Sequence, residues 1–305
     1  MVTGRFHHEA PRFGERIGQC LICGSGRLRE DFSMLNPSQD LLHWSQCEGC
    51  GFTFMNPKLS FDQMQKAYDS DEYWTQGSYG SDYLGEEASR FDDSRARLKY
   101  LARFVPPGGE LLDVGCATGS FAAAACQQGY VAIGIDPARE MIEFGKRLYG
   151  LDLRAQTLEG SEFAPERFDV ISVLGTDSHF YDPRESFSTL ARWLKPGGHL
   201  LFSYQDYGHW IRWFFPNIKR AYVVYYNFTR KSLHLFLEQV GLSVLGERTK
   251  IENTSVRRIA LTIGIHGRML APFNDLRLRL PTISYRLLVA RKIRGEDDRR
   301  RVPAP

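Results

Sequence analysis

A strand, a glycine turn and a helix start follow one another at residues 111–119, LLDVGCATG. The short apolar run ends at Val114, and the helix-forming run FAAAACQQ follows the turn. Glycine lets the backbone approach a ligand closely, and a helix N-terminus presents free N–H groups to it. The next apolar run ends at Asp136, about 20 residues beyond the first glycine, where a carboxylate can accept hydrogen bonds from a ribose. The spacing therefore predicts a βαβ unit that binds a nucleoside cofactor.

The glycine pattern of this turn distinguishes between classes of nucleoside cofactor. The dinucleotide fingerprint G-x-G-x-x-G would place its glycines at the positions that Gly115, Ala117 and Ser120 occupy here. Two of the three are missing, and Gly119 falls where that fingerprint does not need a glycine. An NAD-dependent oxidoreductase is therefore the weakest of the alternatives that the turn leaves open.

Four segments, in order, resemble the class I S-adenosylmethionine methyltransferases. The turn itself resembles the G-x-G-x-G loop of that family, with Ala117 in the middle position. The others are GIDP, FDVISVLGTDSHFYDP and LKPGGHLLFS, at residues 134–137, 168–183 and 194–203. A generic βα unit with a tight turn would not account for all four. The resemblance implies a Rossmann-like α/β fold of seven mostly parallel strands, with an antiparallel last strand, and S-adenosyl-L-methionine as the cofactor.

Apolar runs and helical patterns alternate along the chain, which is typical of a parallel sheet with helices on both faces. We predict central strands at 110–114, 130–135, 152–156, 168–174 and 198–204, and later strands at 242–251 and 282–293. We predict helices at 60–69, 86–105, 119–128, 137–149, 183–194 and 229–240. The segment WSQCEGCGFTF, at 44–54, alternates well enough for a hairpin.

Four of the six cysteines stand in two C-x2-C pairs, each followed by glycine, and these are Cys20, Cys23, Cys47 and Cys50. Such knuckles point two thiolates at one metal, and the pattern predicts a four-cysteine zinc ribbon. A closed set of four thiolates leaves no open position, so the zinc should be structural. Disulfides, which need an oxidising compartment, and a redox C-x-x-C motif are the alternatives. We expect Cys116 and Cys126 to be packing residues.

The ribbon runs into GFTFMNP, at residues 51–57. Here the chain resembles methyltransferases in which a zinc ribbon leads into a GF-x-F-x-NP segment, and the resemblance covers about residues 18–294. Many members of that group act in pathways of glycans, deoxysugars and other secondary metabolites. The resemblance therefore implies a small-molecule acceptor, which would be a sugar, a glycan precursor or a secondary metabolite. We expect O-methylation first, and C- or N-methylation second.

These patterns predict a division of the chain into a mobile N-terminus at 1–17, the zinc ribbon at 18–57, a helical linker or cap at 58–105, the methyltransferase domain at 106–294 and a basic tail at 295–305. Within the methyltransferase domain we expect an aromatic substrate lid at 204–228 and a helical insertion at 255–281. No apolar stretch reaches the roughly 18 residues of a membrane span, and the N-terminus lacks the apolar core of a secretion signal. We therefore expect a cytoplasmic protein.

The cofactor should lie beyond the carboxyl ends of the central strands, where open parallel sheets bind their ligands. Asp113 should orient the turn or meet the amino-acid end of the cofactor, and Asp136 should hold the ribose. Leu158 should contact the adenine, and Gly175 the region near the sulfonium. The complete predicted set is Asp113, Gly115, Cys116, Ala117, Gly119, Asp136, Pro137, Thr157, Leu158, Leu174 and Gly175. The alternative for Asp136 is a solvated carboxylate at a strand end.

His179 is the candidate catalytic base, since the unperturbed pKa of a histidine, about 6.5, suits proton transfer at neutral pH. It follows the fourth strand in GTDSHFYDP, where the related group commonly has a Glu-His pair. The glutamate position holds Ser178, which argues against the divalent metal that ubiquinone-type O-methyltransferases bind around this loop. Asp177 could replace part of that charge. The alternative for His179 is a helix-start residue that is hydrogen-bonded to the backbone.

An aromatic-rich segment follows the fifth strand, where related enzymes cover their substrate pocket. The predicted substrate-lining residues are Tyr204, His209, Trp210, Trp213, Tyr222 and Tyr226. Aromatic rings stack on sugar faces and on aryl groups alike, so they do not identify the acceptor. The alternative is core packing under the sheet, and we expect it for at least half of the aromatic side chains in the segment.

The charge distribution restricts the partners. The ribbon carries few basic residues, only Arg27, Arg29 and Lys58 at its edge, which argues against phosphate-driven binding of nucleic acid. Residues 277–301 hold nine basic and three acidic side chains, so the region 255–301 could touch a membrane surface or an anionic, carrier-linked substrate. A nucleic-acid methyltransferase and a non-catalytic cofactor-binding scaffold are the alternatives to a small-molecule enzyme.

Overall fold

The computed structural model describes residues 14–35, 40–63, 84–176, 179–210, 224–255 and 277–294. Within these ranges the chain forms eleven strands and five helices. In chain order they are β1 Leu28–Leu35, β2 Leu41–Cys47, β3 Thr53–Met55, α1 Glu87–Leu101, β4 Gly109–Val114, α2 Ser120–Cys126, β5 Tyr130–Asp136, α3 Arg139–Tyr149, β6 Asp152–Ala155, β7 Phe168–Leu174, α4 Pro183–Trp193, β8 Leu194–Gln205, β9 Tyr226–Asn227, α5 Arg230–Gln239, β10 Leu242–Ser255 and β11 Arg277–Lys292.

Seven strands form the central sheet, in the order β10-β11-β8-β7-β4-β5-β6. Strands β4 to β8 pair in parallel, and β11 lies antiparallel between β8 and β10. The inner strands are nearly continuous apolar runs because helices cover both faces of the sheet. The predicted Rossmann-like fold, with its antiparallel last strand, is confirmed.

The predicted elements differ from the observed ones mainly at their ends. Strand β8 begins at Leu194, four residues before the predicted start, because Leu194 pairs with Phe168 through an irregular register. Strands β10 and β11 are longer than predicted because Ile251–Ser255 pair with Arg277–Pro281 in a hairpin arm. The predicted helical insertion at 255–281 is therefore strand at its C-terminal end, and the residues between the two strands lie outside the described ranges.

Two predictions on smaller elements have mixed outcomes. The hairpin at 44–54 is present, since β2 and β3 pair antiparallel. The helix predicted at 60–69 is described only at 61–63, where it is helical.

The basic tail at 295–305 and most of the N-terminus lie outside the described residues. None of the described helices is long and apolar enough to cross a membrane.

A second, four-stranded sheet contains the cysteine-rich segment, in the order β1-β2-β3-β9. Its last strand, β9, comes from the chain that follows β8, and Thr53 and Phe54 of β3 pair with Asn227 and Tyr226. Just beyond this pairing the Met55 N–H donates to the Tyr225 carbonyl at 2.7 Å. The N-terminal sheet is thus completed by a strand that follows the central strand β8 in the chain.

The two sheets also share a hydrophobic core. Phe228, which follows β9, packs its ring 5.1 Å from Phe52 of the N-terminal part and 5.7 Å from Phe236 of α5, measured between ring centroids. The Trp44 indole N–H, on β2, donates to the Val224 carbonyl at 2.9 Å. The side chains of Trp44, Phe52, Phe228 and Phe236 are all buried, so the N-terminal sheet packs directly on α5 and the chain around β9.

Candidate cofactor site and cysteine cluster

The turn between β4 and α2 has the backbone conformation that the glycine pattern predicts. Gly115, Ala117 and Gly119 have φ angles of 72°, 47° and 79°, all in the left-handed region. The Gly115 and Cys116 N–H groups donate to the Ile135 carbonyl at 2.8 and 3.1 Å, which fixes the turn against β5. A Cβ on Gly115 would collide with the Thr176 side chain. Glycine is needed at this position for both its φ angle and its close contact.

Asp136 ends β5 and faces this turn. Its carboxylate accepts from the Ala117 N–H at 2.9 Å and from the Ala138 N–H at 2.8 Å. A carboxylate offers about four lone-pair sites, so two backbone bonds leave acceptor capacity for a ribose diol. Burial raises the pKa of Asp136 to about 6. The side chain is 6 % exposed, so the solvated carboxylate that was its alternative does not describe it.

Asp113 lies deeper, at the end of β4. It is 2 % exposed, and its carboxylate accepts from the Ser172 hydroxyl of β7 at 2.6 Å. Burial raises the pKa of Asp113 to about 7, and the negative charge of Asp136 adds to that rise. This placement behind the turn fits the predicted role of orienting it. Ser172 was missed at the sequence level, although a polar residue inside the apolar strand FDVISVL marked it.

The pKa of Asp113 predicts a pH dependence of stability. A carboxyl group whose pKa is raised in the folded chain favours folding while it is protonated, and its contribution is lost as the pH rises from about 4 to about 7. Over that range the urea midpoint of the wild type should therefore fall more steeply with pH than that of Asp113→Asn, which stays neutral. Equal slopes for the two proteins would contradict this assignment.

The other predicted cofactor residues lie along the same edge of the sheet. Beyond β6 the Gln156 N–H donates to the Asp136 carbonyl at 3.1 Å, which brings the Thr157–Leu158 turn beside β5. Leu158 is buried and Gly175 has a φ angle of 88°, with open space where a Cβ would point. The structure thus brings the ends of β4, β5, β6 and β7 together around one edge. The individual contacts to a cofactor stay predictions.

His179 lies on this edge, shortly after the end of β7. Its backbone N–H donates to the Thr176 carbonyl at 3.0 Å, which fits the alternative of a helix-start residue that is hydrogen-bonded to the backbone. The two preceding residues, Asp177 and Ser178, lie outside the described ranges. The role of His179 as a base stays a prediction.

The predicted substrate residues divide by burial. Tyr204 is fully buried and its hydroxyl donates to Glu247 at 2.7 Å, while Tyr226 is 2 % exposed within β9. The core-packing alternative is favoured for these two. His209 and Trp210 follow β8 with ring centroids 5.5 Å apart, and Trp210 is 59 % exposed. The remaining two, Trp213 and Tyr222, lie outside the described residues.

The four knuckle cysteines converge. All four sulfur atoms lie within 4.8 Å of one another, with Cys20 and Cys50 at 3.6 Å and Cys23 and Cys47 at 3.5 Å. A tetrahedral zinc with bonds of about 2.3 Å would place its sulfurs about 3.8 Å apart, so the donor set fits zinc. The hydrogen bond between the Cys20 and Cys50 thiols lowers the pKa of Cys20 and raises the pKa of Cys50, so Cys20 loses its proton first in this pair. The cluster could bind a metal ion.

The knuckles contact the loops that follow the central strands. The Thr229 hydroxyl, which caps α5, donates to the Cys50 carbonyl at 2.9 Å. Arg184, in the first turn of α4, donates to the Leu21 carbonyl at 3.0 Å. Lys58 donates to the Tyr181 carbonyl at 2.7 Å. No local pattern in the sequence announced these contacts, because they join residues more than 100 positions apart.

Comparisons with known proteins agree with this architecture. A family model described as "Methyltransferase domain" matches residues 87–247. The "Ubiquinone biosynthesis O-methyltransferase" of Xylella fastidiosa is 32 % identical over 155 residues, which cover 47 % of this chain and 63 % of that protein. The protein of the same name from Coxiella burnetii is 30 % identical over 113 residues, which cover 35 % and 48 %. The chain spans about half the length of the curated relatives it matches.

Solved structures match the fold. The Burkholderia thailandensis 1,6-didemethyltoxoflavin-N1-methyltransferase, solved with S-adenosylhomocysteine, aligns with a TM-score of 0.52 and 15 % identity, over 86 % of this chain and 99 % of that one. A Leishmania major SAM-dependent methyltransferase aligns with a TM-score of 0.50 and 14 % identity, over 75 % and 82 %. Because the family model covers more than half of the sequence, the chain belongs to the methyltransferase-domain family and has the Rossmann-like fold of S-adenosylmethionine-dependent methyltransferases.

Proposed function

We propose that the protein transfers a methyl group from S-adenosylmethionine to a small-molecule acceptor, and that the acceptor atom is a hydroxyl oxygen. The observation that carries the proposal is the pairing of Asp136 with the left-handed turn, through the 2.9 Å hydrogen bond from the Ala117 N–H. The names of the curated relatives support O-methylation. When bound, the cofactor supplies an activated sulfonium methyl group.

Different residues of the chain would bind different parts of the cofactor. The Asp136 carboxylate accepts hydrogen bonds from the ribose hydroxyls, because its remaining lone pairs point away from the two backbone N–H groups that it already engages. Leu158 offers an apolar surface for the adenine, and Gly175 leaves space beside the end of β7. Asp113, just before the turn, is held against β7 by the Ser172 hydroxyl. These contacts fix the orientation that an in-line displacement requires.

His179 is proposed to accept the proton of the acceptor hydroxyl on an imidazole nitrogen. It lies after β7, on the sheet edge where the predicted cofactor residues meet. An imidazole nitrogen can accept a proton near neutral pH, which suits a general base. Histidine therefore provides the base without a metal-bound hydroxide.

The acceptor is proposed to be a sugar, a glycan precursor or a secondary metabolite that carries a ring. His209 and Trp210 extend from the end of β8 on the same edge, and the exposed indole of Trp210 offers a face on which such a ring can stack. The four-cysteine cluster is proposed to hold a structural zinc ion, since four thiolates leave no coordination position for substrate.

Native mass spectrometry with added S-adenosylhomocysteine tests the cofactor half of the proposal. The wild type should carry one zinc ion and one S-adenosyl ligand. Asp136→Ala should weaken ligand binding by about 100-fold, because about 3 kcal/mol is a typical loss for the charge-assisted hydrogen bonds to a ribose. Asp152→Ala is the matched control, since Asp152 pairs with Arg154 on the surface at the opposite end of β6. A wild type that binds zinc but no S-adenosyl ligand would contradict the proposal.

A further inference from the structure

The first residue of α1, Glu87, reaches the cofactor turn. Its carboxylate accepts from the Thr118 hydroxyl at 3.0 and 2.8 Å, one distance to each oxygen, and from the Tyr149 hydroxyl at 2.7 Å. Arg90, one turn along α1, pairs with the same carboxylate. The Glu87 side chain is 12 % exposed and Thr118 is fully buried. One carboxylate therefore joins the start of α1, the middle of the turn and the end of α3.

The turn needs such an anchor because of Ala117. The left-handed conformation costs conformational free energy in any residue that has a Cβ. Ala117 therefore keeps its φ angle of 47° only because contacts with its surroundings stabilise it. On one side the Ala117 N–H is held by Asp136 at 2.9 Å. On the other side Thr118, the next residue, is held by Glu87. One carboxylate thus holds the peptide N–H of the alanine, and the other holds the side chain of the residue that follows it.

The packing around Thr118 shows how little freedom this part of the turn has. Gly145 of α3 approaches the Thr118 carbonyl so closely that a Cβ on the glycine would collide with it. Tyr149, one turn further along α3, donates to Glu87. Helix α3 begins three residues after Asp136. The helix that follows the proposed ribose-binding residue therefore also packs against the turn.

We propose that Glu87 is a positioning residue for the cofactor turn, and that its bond to Thr118 is what allows alanine at the position where glycine would be free of strain. The proposal rests on the proposed function, because it concerns how the turn is kept ready for an S-adenosyl ligand. Glu87 is proposed to act on the cofactor indirectly. It acts by holding Thr118, and through Thr118 the N–H groups on either side.

A purely structural role for Glu87 makes a different prediction. If the carboxylate only attached α1 to the domain, its loss would lower the melting temperature and would not depend on the residue at position 117. If it positions the turn, its loss should weaken ligand binding, and the loss should shrink when glycine replaces Ala117. Glycine adopts the left-handed conformation without strain, so the turn then needs the anchor less.

The test is the dissociation constant of S-adenosylhomocysteine, measured by calorimetry on the full chain. Glu87→Gln should weaken binding about tenfold, the effect of losing roughly one charge-assisted hydrogen bond. In the Ala117→Gly background the same change should weaken binding by less than about threefold. The matched control is Glu143→Gln, which removes only the surface ion pair with Lys146 and should leave binding unchanged.

A Glu87→Gln protein that binds within twofold of the wild type would overturn the inference, as would an equal effect in the alanine and glycine backgrounds. If Glu87→Gln does not fold, Thr118→Val replaces it, since valine keeps the shape of threonine without the hydroxyl and should give the same pattern. A wild type that binds no S-adenosylhomocysteine would overturn the proposed function itself. The two failures are therefore distinguishable.

Discussion

A protein in which serine replaces both Cys20 and Cys50 should lose its zinc and melt at least about 10 °C below the wild type. Structural zinc sites contribute about 10–16 kcal/mol of apparent binding free energy, more than the net stability of most domains. A loss of even about 5 kcal/mol lowers the melting temperature by about 10–20 °C in a domain of this size. The effect should spread beyond the knuckles, because Phe52 packs against Phe228 in the shared core.

Zinc content by elemental analysis and melting by circular dichroism would measure this effect. Cys126→Ser is the matched control, since Cys126 lies at the end of α2, outside the cluster, and is partly exposed. The zinc assignment would be contradicted if the wild type holds no zinc, or if the double variant melts at the same temperature as the wild type.

Removal of the metal from the wild type with a chelator should lower the melting temperature in the same way, without any change of sequence. The knuckles are hydrogen-bonded to Arg184 and Thr229, at the starts of α4 and α5. Amide hydrogen exchange should therefore rise first around these two helix starts, while β4 and β5 stay protected. A uniform rise over the whole chain would contradict this order of loosening.

The second large effect concerns His179. His179→Ala should lower turnover by about 10²- to 10⁴-fold, the range that general-base catalysis supplies, while the dissociation constant of S-adenosylhomocysteine stays within about twofold. The reason is that the imidazole would act on the acceptor proton and not on the cofactor. Turnover would be measured as S-adenosylhomocysteine release with a panel of phenols and sugars that contain free hydroxyl groups.

His43→Ala is the matched control, because His43 lies on β2 with its side chain 41 % exposed and contacts Ser33 and Glu30 of the neighbouring strand β1. It should keep wild-type turnover. An unchanged rate in His179→Ala would remove the histidine from the mechanism, and the acceptor would then need another base. A parallel loss of cofactor binding would assign His179 a binding role instead.

The central sheet was predictable because its strands are short apolar runs bounded by turns, a pattern that tertiary contacts do not alter. Strand β9 was not, since it has two residues and exists only because β3 offers a free edge. Strand β1 was missed because its mostly exposed side chains lack a regular alternation. The hairpin arm of β10 and β11 likewise depends on pairing between residues that are distant in the chain.

The candidate site divides in the same way. The turn at Gly115 and the carboxylate at Asp136 were predictable from spacing, because backbone conformation and strand ends are local properties. Glu87 was not, since its partner Thr118 is 31 positions away. Aromatic density was ambiguous for a different reason. It marks a pocket and a core equally, and only the burial of Tyr204 and Tyr226 favours the core for those two residues.

The origin of β9 has a consequence for the order of events during synthesis. The N-terminal sheet includes Tyr226 and Asn227, so it cannot be completed until these two residues have left the ribosome. The cysteines are translated early and wait for a partner strand that arrives late. Until that strand arrives, the nascent chain exposes the free edge of β3 together with the cysteine thiols.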